Sequence, residues 1–240
     1  MKRLLLYAHF NKNNAIAGHV MHMIKKFRDA CIDIIFLSCS EVSDAMAKKS
    51  LSQYVDKFVL VPNIGYDFYA WKIGIAKFWD IFPRYDKLIL LNSSVLGPMF
   101  KLNRFLNALD CLNKDLVGAT ENHEKQYHLQ SYFLYFSQKL FRSPCFKTYW
   151  DNLAAVNDRE EVINRYEVRM TQYFMDNGYS AGSYYKQHGN RNPTLDQPYD
   201  LLLKKMPFIK IQLLRENPYH RNLFLIKLFL QIKRIKGYLP

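Results

Sequence analysis

The chain of 240 residues is long enough for one sizeable domain with a real core. Hydrophobic residues make up 49% and aromatics 15%, which excludes a disordered chain. Lys and Arg number 34 against 21 Asp and Glu, a net charge of +13 that favours an anionic partner: a nucleotide-bearing substrate or acidic lipid. Neither zinc-finger spacing nor an arginine-rich tail accompanies that charge, so nucleic acid is not indicated.

In chain order, Leu4 to Ala8 reads as a short buried strand closed by polar "HFNKNN". Its apolar run is too short for the core of a signal peptide. Ile16, Val20, Met23, Ile24, Phe27 and Cys31 then recur at helical spacing, and "IDIIFL" and "KFVLV" read as a second and third strand. "NIGYDFYAWK", Asn63 to Lys72, carries a polar glycine-bearing turn into a helix. Such turns often hold phosphate-bearing ligands in α/β proteins, and more often are connections alone. "DKLILL" is a fourth strand, "DLVGAT" a fifth, and "LQSYFLYF", Leu129 to Phe136, a sixth that is buried on both faces. Helices follow in "SPCFKTYWDNL" and in "REEVINRYEVRMTQYFMDNGY", the latter stopped at Asn177-Gly178. Residues 186–200 read as loop, ahead of two short elements, "LLLKKM" and "FIKIQLL". Alternating strands and helices predict an α/β fold with a mostly parallel sheet flanked by helices.

From Arg221 to Lys236 the chain predicts a basic amphipathic helix, with His220, Lys227 and Arg234 seven apart on one stripe. That helix suits an anionic membrane surface, or docking on its own domain or a partner. No stretch reaches the roughly 18 apolar residues of a membrane span. Cys31, Cys39, Cys111 and Cys145 form no CxxC pair and read as reduced, buried small hydrophobes of a cytoplasmic protein.

Seven blocks resemble the rhamnan synthesis F family of bacterial polysaccharide glycosyltransferases. They are "LLLYAHFNKNNAI", "IFLSCS", "NIGYDFYAWKIGI", "YDKLILLNSSVLGPM", "YHLQSYFLYFSQKLFRSPCFKTYW", "VINRYEVRMTQYFMDNGY" and "NPTLDQPYDLLLKKMPFIKIQLLRENP". They come in the family's order from about residue 4 to 218, which sets a transferase domain at 1–218 and a surface helix at 219–240. The resemblance implies a GT-A-like (Rossmann-like) fold and transfer of a deoxyhexose from a nucleotide sugar, typically dTDP-L-rhamnose. The acceptor it implies is a polyprenyl-linked glycan of a cell-surface polysaccharide such as lipopolysaccharide O-antigen. The enzyme would then work in the cytoplasm, peripheral to the inner face of the membrane. A non-catalytic nucleotide-sugar or glycan-binding subunit is the alternative, and a nucleotide-binding protein of unrelated chemistry a third.

The resemblance also assigns residues. Ala8, His9 and Phe10, with Asn63, Gly65 and Asp67, would line the donor pocket, Asp67 holding a base or ribose hydroxyl or capping the helix that follows. At Asn92, Ser93 and Ser94 the family typically reads Asn-Asp-Ser, and where Asn11 stands it usually has Asp. Losing the carboxylate removes the hard ligand that Mg²⁺ or Mn²⁺ needs, which puts a metal in doubt: either it is dispensed with and a cationic side chain holds the leaving group, or this copy is impaired. Lys210, Arg215 and Lys72 are the candidates, Arg215 being favoured for its bidentate grip on phosphate. Glu167 falls on the apolar face of its helix with Ile163, Met170 and Phe174 and is the expected catalytic base. Glu121, on a loop after a strand, competes with it, and His128 and Gln130 would bind acceptor hydroxyls.

Overall fold

The computed structural model describes residues 1–42 and 44–232. In order, the elements are β1 (Arg3–His9), α1 (Gly18–Asp29), β2 (Asp33–Ser38), α2 (Ala45–Ser52), β3 (Lys57–Leu60), α3 (Tyr66–Lys77), β4 (Lys87–Asn92), β5 (Val95–Leu96), α4 (Leu102–Cys111), β6 (Leu116–Asn122), β7 (His128–Leu129), β8 (Phe133–Ser137), α5 (Gln138–Phe141), α6 (Pro144–Asp151), α7 (Arg159–Val162), α8 (Val168–Asp176), β9 (Ala181–Tyr185), α9 (Pro193–Asp196), α10 (Pro198–Leu203), β10 (Ile209–Lys210), α11 (Ile211–Arg215) and α12 (Phe224–Ile232).

Leu4, Leu6 and Ala8 of β1 pack to one face of the sheet, and Leu5 and Tyr7 to the other. All five are buried because helices cover both faces, and for that reason the strand reads as a continuous apolar run. The main sheet runs in the order β3-β2-β1-β4-β8-β6-β7, with β9 also paired to β6. Strands β1 to β4 are parallel, β8 runs antiparallel between β4 and β6, and β9 lies parallel to β6. The expected mostly parallel α/β sheet is thus present, with one inner strand reversed. On one face α3, α6 and α8 bring together Phe68, Trp71, Phe146, Trp150 and Phe174. Much of the high aromatic content is therefore core packing. On the other face α1 and α4 pack Phe27, Phe105 and Leu106. A smaller third core gathers Leu96, Met99, Leu195, Ile209, Leu213, Leu223, Ile226 and Leu230.

Several local expectations are corrected. Leu129 to Phe136 is not one strand: β7 and β8 are separated by Gln130, Ser131 and Tyr132, and that break turns Ser131 toward the site described below. Residues 186–200 are not all loop, since Pro193 and Pro198 open two short helices at their first turns. The structure adds α2, α4 and β9 to the expected elements, and in α4 Leu102, Phe105, Leu106 and Leu109 carry a clear helical spacing. Cys31 and Cys111 are exposed rather than buried, and all four cysteines are free. The C-terminal helix starts at Phe224, and Arg234 of the expected stripe lies outside the described residues. No helix among the described residues is long and apolar enough to cross a membrane.

Candidate functional site at the sheet switch point

β1 connects through α1 to β2 on one side, while β4 lies against its other flank. Between β1 and β4 the strand order reverses, and the crevice beyond the carboxyl ends of such strands is where α/β folds place ligands. His9 and Asn92 end these two strands, and the amide of Ser93 closes the gap by donating to the Ala8 carbonyl at 3.1 Å.

His9 is buried, its Nδ1–H donating to Ser38 Oγ at 3.1 Å while Ser38 Oγ itself donates to the Ser40 carbonyl. Burial lowers its pKa to about 4, and nearby His19 acts in the same direction. His19, in the first turn of α1, is also lowered to about 4 by burial, with the positive charge of Arg215 adding to the effect. His19 is a site residue that sequence reasoning missed; only its place just after the β1 loop could have pointed to it.

Asn92 organises the end of β4. Its Oδ1 accepts from the amide of Ser94 at 3.1 Å and from Ser94 Oγ at 2.5 Å. Its Nδ2 donates to Asp67 Oδ2 at 2.6 Å. Asp67 sits in the first turn of α3 but does not cap it. The cap position belongs to Gly65, whose φ of +66° suits glycine and whose added Cβ would meet Tyr69 Cβ at 2.6 Å. Gly65 is thus required by the packing of the turn, its amide donating to Asn157 Oδ1 at 3.2 Å. Burial raises Asp67 to about 6, and nearby Glu167 adds to the rise against the opposing pull of Lys210 and Asn92.

Lys210 enters from β10, which pairs antiparallel with β5 so that Lys210 lies opposite Val95. Its Nζ donates to Ser94 Oγ at 3.0 Å and stands 5.0 Å over the Tyr132 ring. Burial lowers its pKa, with Glu167 and Asp67 resisting and Arg159 reinforcing that shift. Asn63 and Arg215 are exposed, Arg215 close enough to His19 to be felt electrostatically. Lys72 is occupied elsewhere: its Nζ donates to the carbonyls of Asp151 at 2.9 Å and Leu153 at 2.6 Å, closing the end of α6.

Glu167 is near enough to act electrostatically on both Asp67 and Lys210. Residues Ile163–Glu167 form a π-turn between α7 and α8, a local widening of the kind frequent at functional sites. Its Oε2 accepts from the amide of Ser131 at 3.0 Å and from the Ser131 hydroxyl. Its Oε1 lies 3.8 Å from His128 Nε2. His128 Nδ1–H donates to the Gln126 carbonyl at 2.8 Å, leaving Nε2 as a buried acceptor with no hydrogen-bond partner among the described residues. A hydroxyl entering here can donate to either group. Gln130 is committed to structure, since its Oε1 accepts from Thr120 Oγ1 at 2.7 Å. Glu121 lies within β6, not on a loop, and is held by Ser183 Oγ at 2.7 Å and by His123 Nε2 at 3.3 Å.

The Asn92–Ser94 segment fits a divalent metal poorly. It offers an amide and two hydroxyls, the amide oxygen already accepts twice, and the Lys210 ammonium occupies Ser94 Oγ. Among the described residues, no three His, Cys, Asp or Glu side chains are grouped as metal ligands would be.

A family model described as rhamnan synthesis protein F matches residues 34–237. The chain belongs to the rhamnan synthesis protein F family. Two curated relatives are the uncharacterized protein y4gN of Sinorhizobium fredii and the virulence protein VirA of Vibrio anguillarum. The first is 30% identical over 142 residues, 58% of this chain and 37% of that protein. The second is 23% identical over 211 residues, 73% of this chain and 68% of that protein. The chain therefore spans well under half the length of the first relative. Among solved structures, a galactosyltransferase LgtC in complex with donor and acceptor sugar analogs overlaps 99% of this chain and 97% of its own, with 13% identity and a TM-score of 0.47.

Proposed function

We propose that the protein is a glycosyltransferase that moves a sugar from a nucleotide diphosphate to a glycan acceptor, with dTDP-L-rhamnose as donor. The observation that carries this reading is the convergence of His9, Asp67, Asn92, Ser94, Lys210 and Glu167 at the β1/β4 switch point of a family member. The acceptor hydroxyl attacks the anomeric carbon and passes its proton to Glu167. The bond from that carbon to the leaving phosphate oxygen breaks, and the electron pair leaves with the nucleoside diphosphate. Ser131 holds Glu167 in place, and His128 Nε2 accepts from a neighbouring acceptor hydroxyl. Asp67 and Asn92 orient the donor, and Glu121, tied to Ser183, shapes the acceptor side.

The acceptor is a polyprenyl-linked glycan, reached from the inner membrane face through residues 219–240. Ile226 and Leu230 of α12 pack inward, while Phe224, Leu225, Leu228 and Ile232 are exposed and fall on one arc of the helix. From Asn217 to Pro240 the chain has Lys and Arg but no acidic residue, so this arc suits an anionic bilayer rather than a neutral partner. Incubating the protein with a panel of nucleotide sugars and a lipid-linked glycan tests the reading. Release of dTDP from dTDP-L-rhamnose with extension of the glycan is the expected result, and the absence of acceptor-dependent release from any donor would overturn it.

A further inference from the structure

We infer that Lys210 is the built-in cation of the site, neutralising the diphosphate that leaves, at the point where a divalent metal would otherwise be required. The inference rests on the transferase reading above and adds the identity of the group that receives the developing charge.

Three observations carry it. First, Lys210 is anchored to the end of β4 by the backbone. β10 pairs with β5 directly after Ser94, and the amide of Ile211 donates to the Ser94 carbonyl at 2.9 Å. With its backbone fixed and its Nζ held on Ser94 Oγ, the ammonium loses less order on meeting an anion than a free surface lysine would.

Second, the side chain makes a single hydrogen bond to the protein among the described residues. Nζ has three N–H donors, and one is used on Ser94 Oγ at 3.0 Å. Asp67 and Glu167 are near enough to act on it electrostatically, yet neither forms an ion pair with it within 4 Å among the described residues. Each carboxylate has its own partner instead, Asn92 for Asp67 and Ser131 for Glu167. A half-buried ammonium is only partly solvated, and an arriving phosphate would complete what the two carboxylates supply only at a distance.

Third, the cation and the expected base are near enough to act on one another electrostatically, and each is held by a different serine, Ser94 for Lys210 and Ser131 for Glu167. In the transfer, negative charge grows on the leaving phosphate oxygen while a proton leaves the acceptor hydroxyl for Glu167. Lys210 is placed for the first event and Glu167 for the second. The ammonium on Ser94 also disfavours a divalent ion at the oxygens of Asn92 and Ser94.

Isothermal titration of dTDP and UDP, with thymidine and uridine as controls and EDTA throughout, tests this on the wild type, Lys210→Met and Lys210→Arg. Met keeps the aliphatic stem against Tyr132 without the charge, and melting temperatures establish that each variant is folded. The wild type should bind a nucleoside diphosphate in EDTA. Lys210→Met should lose roughly 10- to 100-fold in diphosphate affinity with nucleoside binding unchanged, as expected for a charge-assisted contact. Lys210→Arg should stay within about 10-fold of wild type. Wild-type-like diphosphate binding by Lys210→Met would overturn the inference and leave the transferase reading standing, as would binding that vanishes in EDTA and returns with Mn²⁺. If the wild type binds neither nucleotide, with or without Mn²⁺, the reading of dTDP-L-rhamnose as donor itself fails and this inference with it.

Discussion

The two ends of the same sheet treat buried charge in opposite ways. Where β1 and β4 begin, Arg3 donates to Asp110 at 2.6 Å and to Tyr135 at 3.0 Å, Tyr135 donates to Asp110 at 2.6 Å, and Lys87 stands 3.8 Å from Asp110. Nearby, Asp115 accepts from the amide and hydroxyl of Ser180 and from Ser137, each at 3.0 Å, and from Lys139 at 3.3 Å. Burial alone would raise Asp115, but these donors outweigh it and hold the carboxyl below its ordinary range. Where the same strands end, Asp67 is raised to about 6, Lys210 is lowered, and His128 Nε2 has no partner among the described residues. One end is a closed network whose role is stability. The other keeps His9 Nε2 and His128 Nε2 without a hydrogen-bond partner among the described residues, which is what the proposed ligand site requires.

The largest expected effect separates the ends by activity. Glu167→Gln keeps the Ser131 contact in shape but cannot accept a proton, so turnover should fall by roughly 10²–10⁴-fold with donor binding intact. A variant that keeps its turnover, while Glu121→Gln loses it, would move the base to the other carboxylate. At the closed end the outcome should invert. Asp115→Ala strips partners from the Ser180 amide and two hydroxyls and should cost about 2–4 kcal/mol in denaturant unfolding, with kcat unchanged.

A smaller effect is read in pH. His9 and His19 bind protons at about 4 in the folded chain and near 6.5 when unfolded, so the unfolded state takes up protons first as pH falls. Their contribution to stability is full above 6.5 and is lost as pH drops toward 4. Asp67 has the opposite sign: its pKa is raised, so its carboxyl costs stability as pH rises from about 4 to about 6. Two histidines against one carboxyl should leave a net fall in melting temperature between pH 6.5 and 4.5, shallower in His9→Leu. A wild-type slope of the reverse sign would mean that the histidines are not held neutral. The smallest effect concerns α12, where Leu225→Asp with Leu228→Asp should abolish flotation with anionic liposomes while leaving the fold intact. Unchanged flotation would remove the membrane contact from this face.

Strands β1, β2 and β4 were legible because double-sided burial leaves each as an unbroken apolar run, as in "LLLYA" and "KLILL". The edge strand β3 shows its apolar run although Phe58 and Leu60 are exposed. The reversal of β8 was not, since a strand buried on both faces looks the same in either direction. In the site, the type of residue was readable but not its commitments. Arg215 has the better chemistry for phosphate, yet it is exposed, while Lys210 is fastened to Ser94 across more than a hundred residues of chain. Asp67 meets Asn92 rather than its own helix end, because β4 brings the amide to it; no local pattern encodes that pairing.

The central claim, that the switch-point crevice holds a nucleoside diphosphate, is tested most directly by photolabelling with 4-thiothymidine and 4-thiouridine diphosphates. Peptides carrying the label would be mapped by mass spectrometry, with unlabelled dTDP and UDP as competitors. The account predicts competable label on the segments from His9 to His19 and from Asn63 to Asp67, at the ends of β1 and at the start of α3. Label confined to segments outside the crevice, or label that neither competitor displaces, would contradict it.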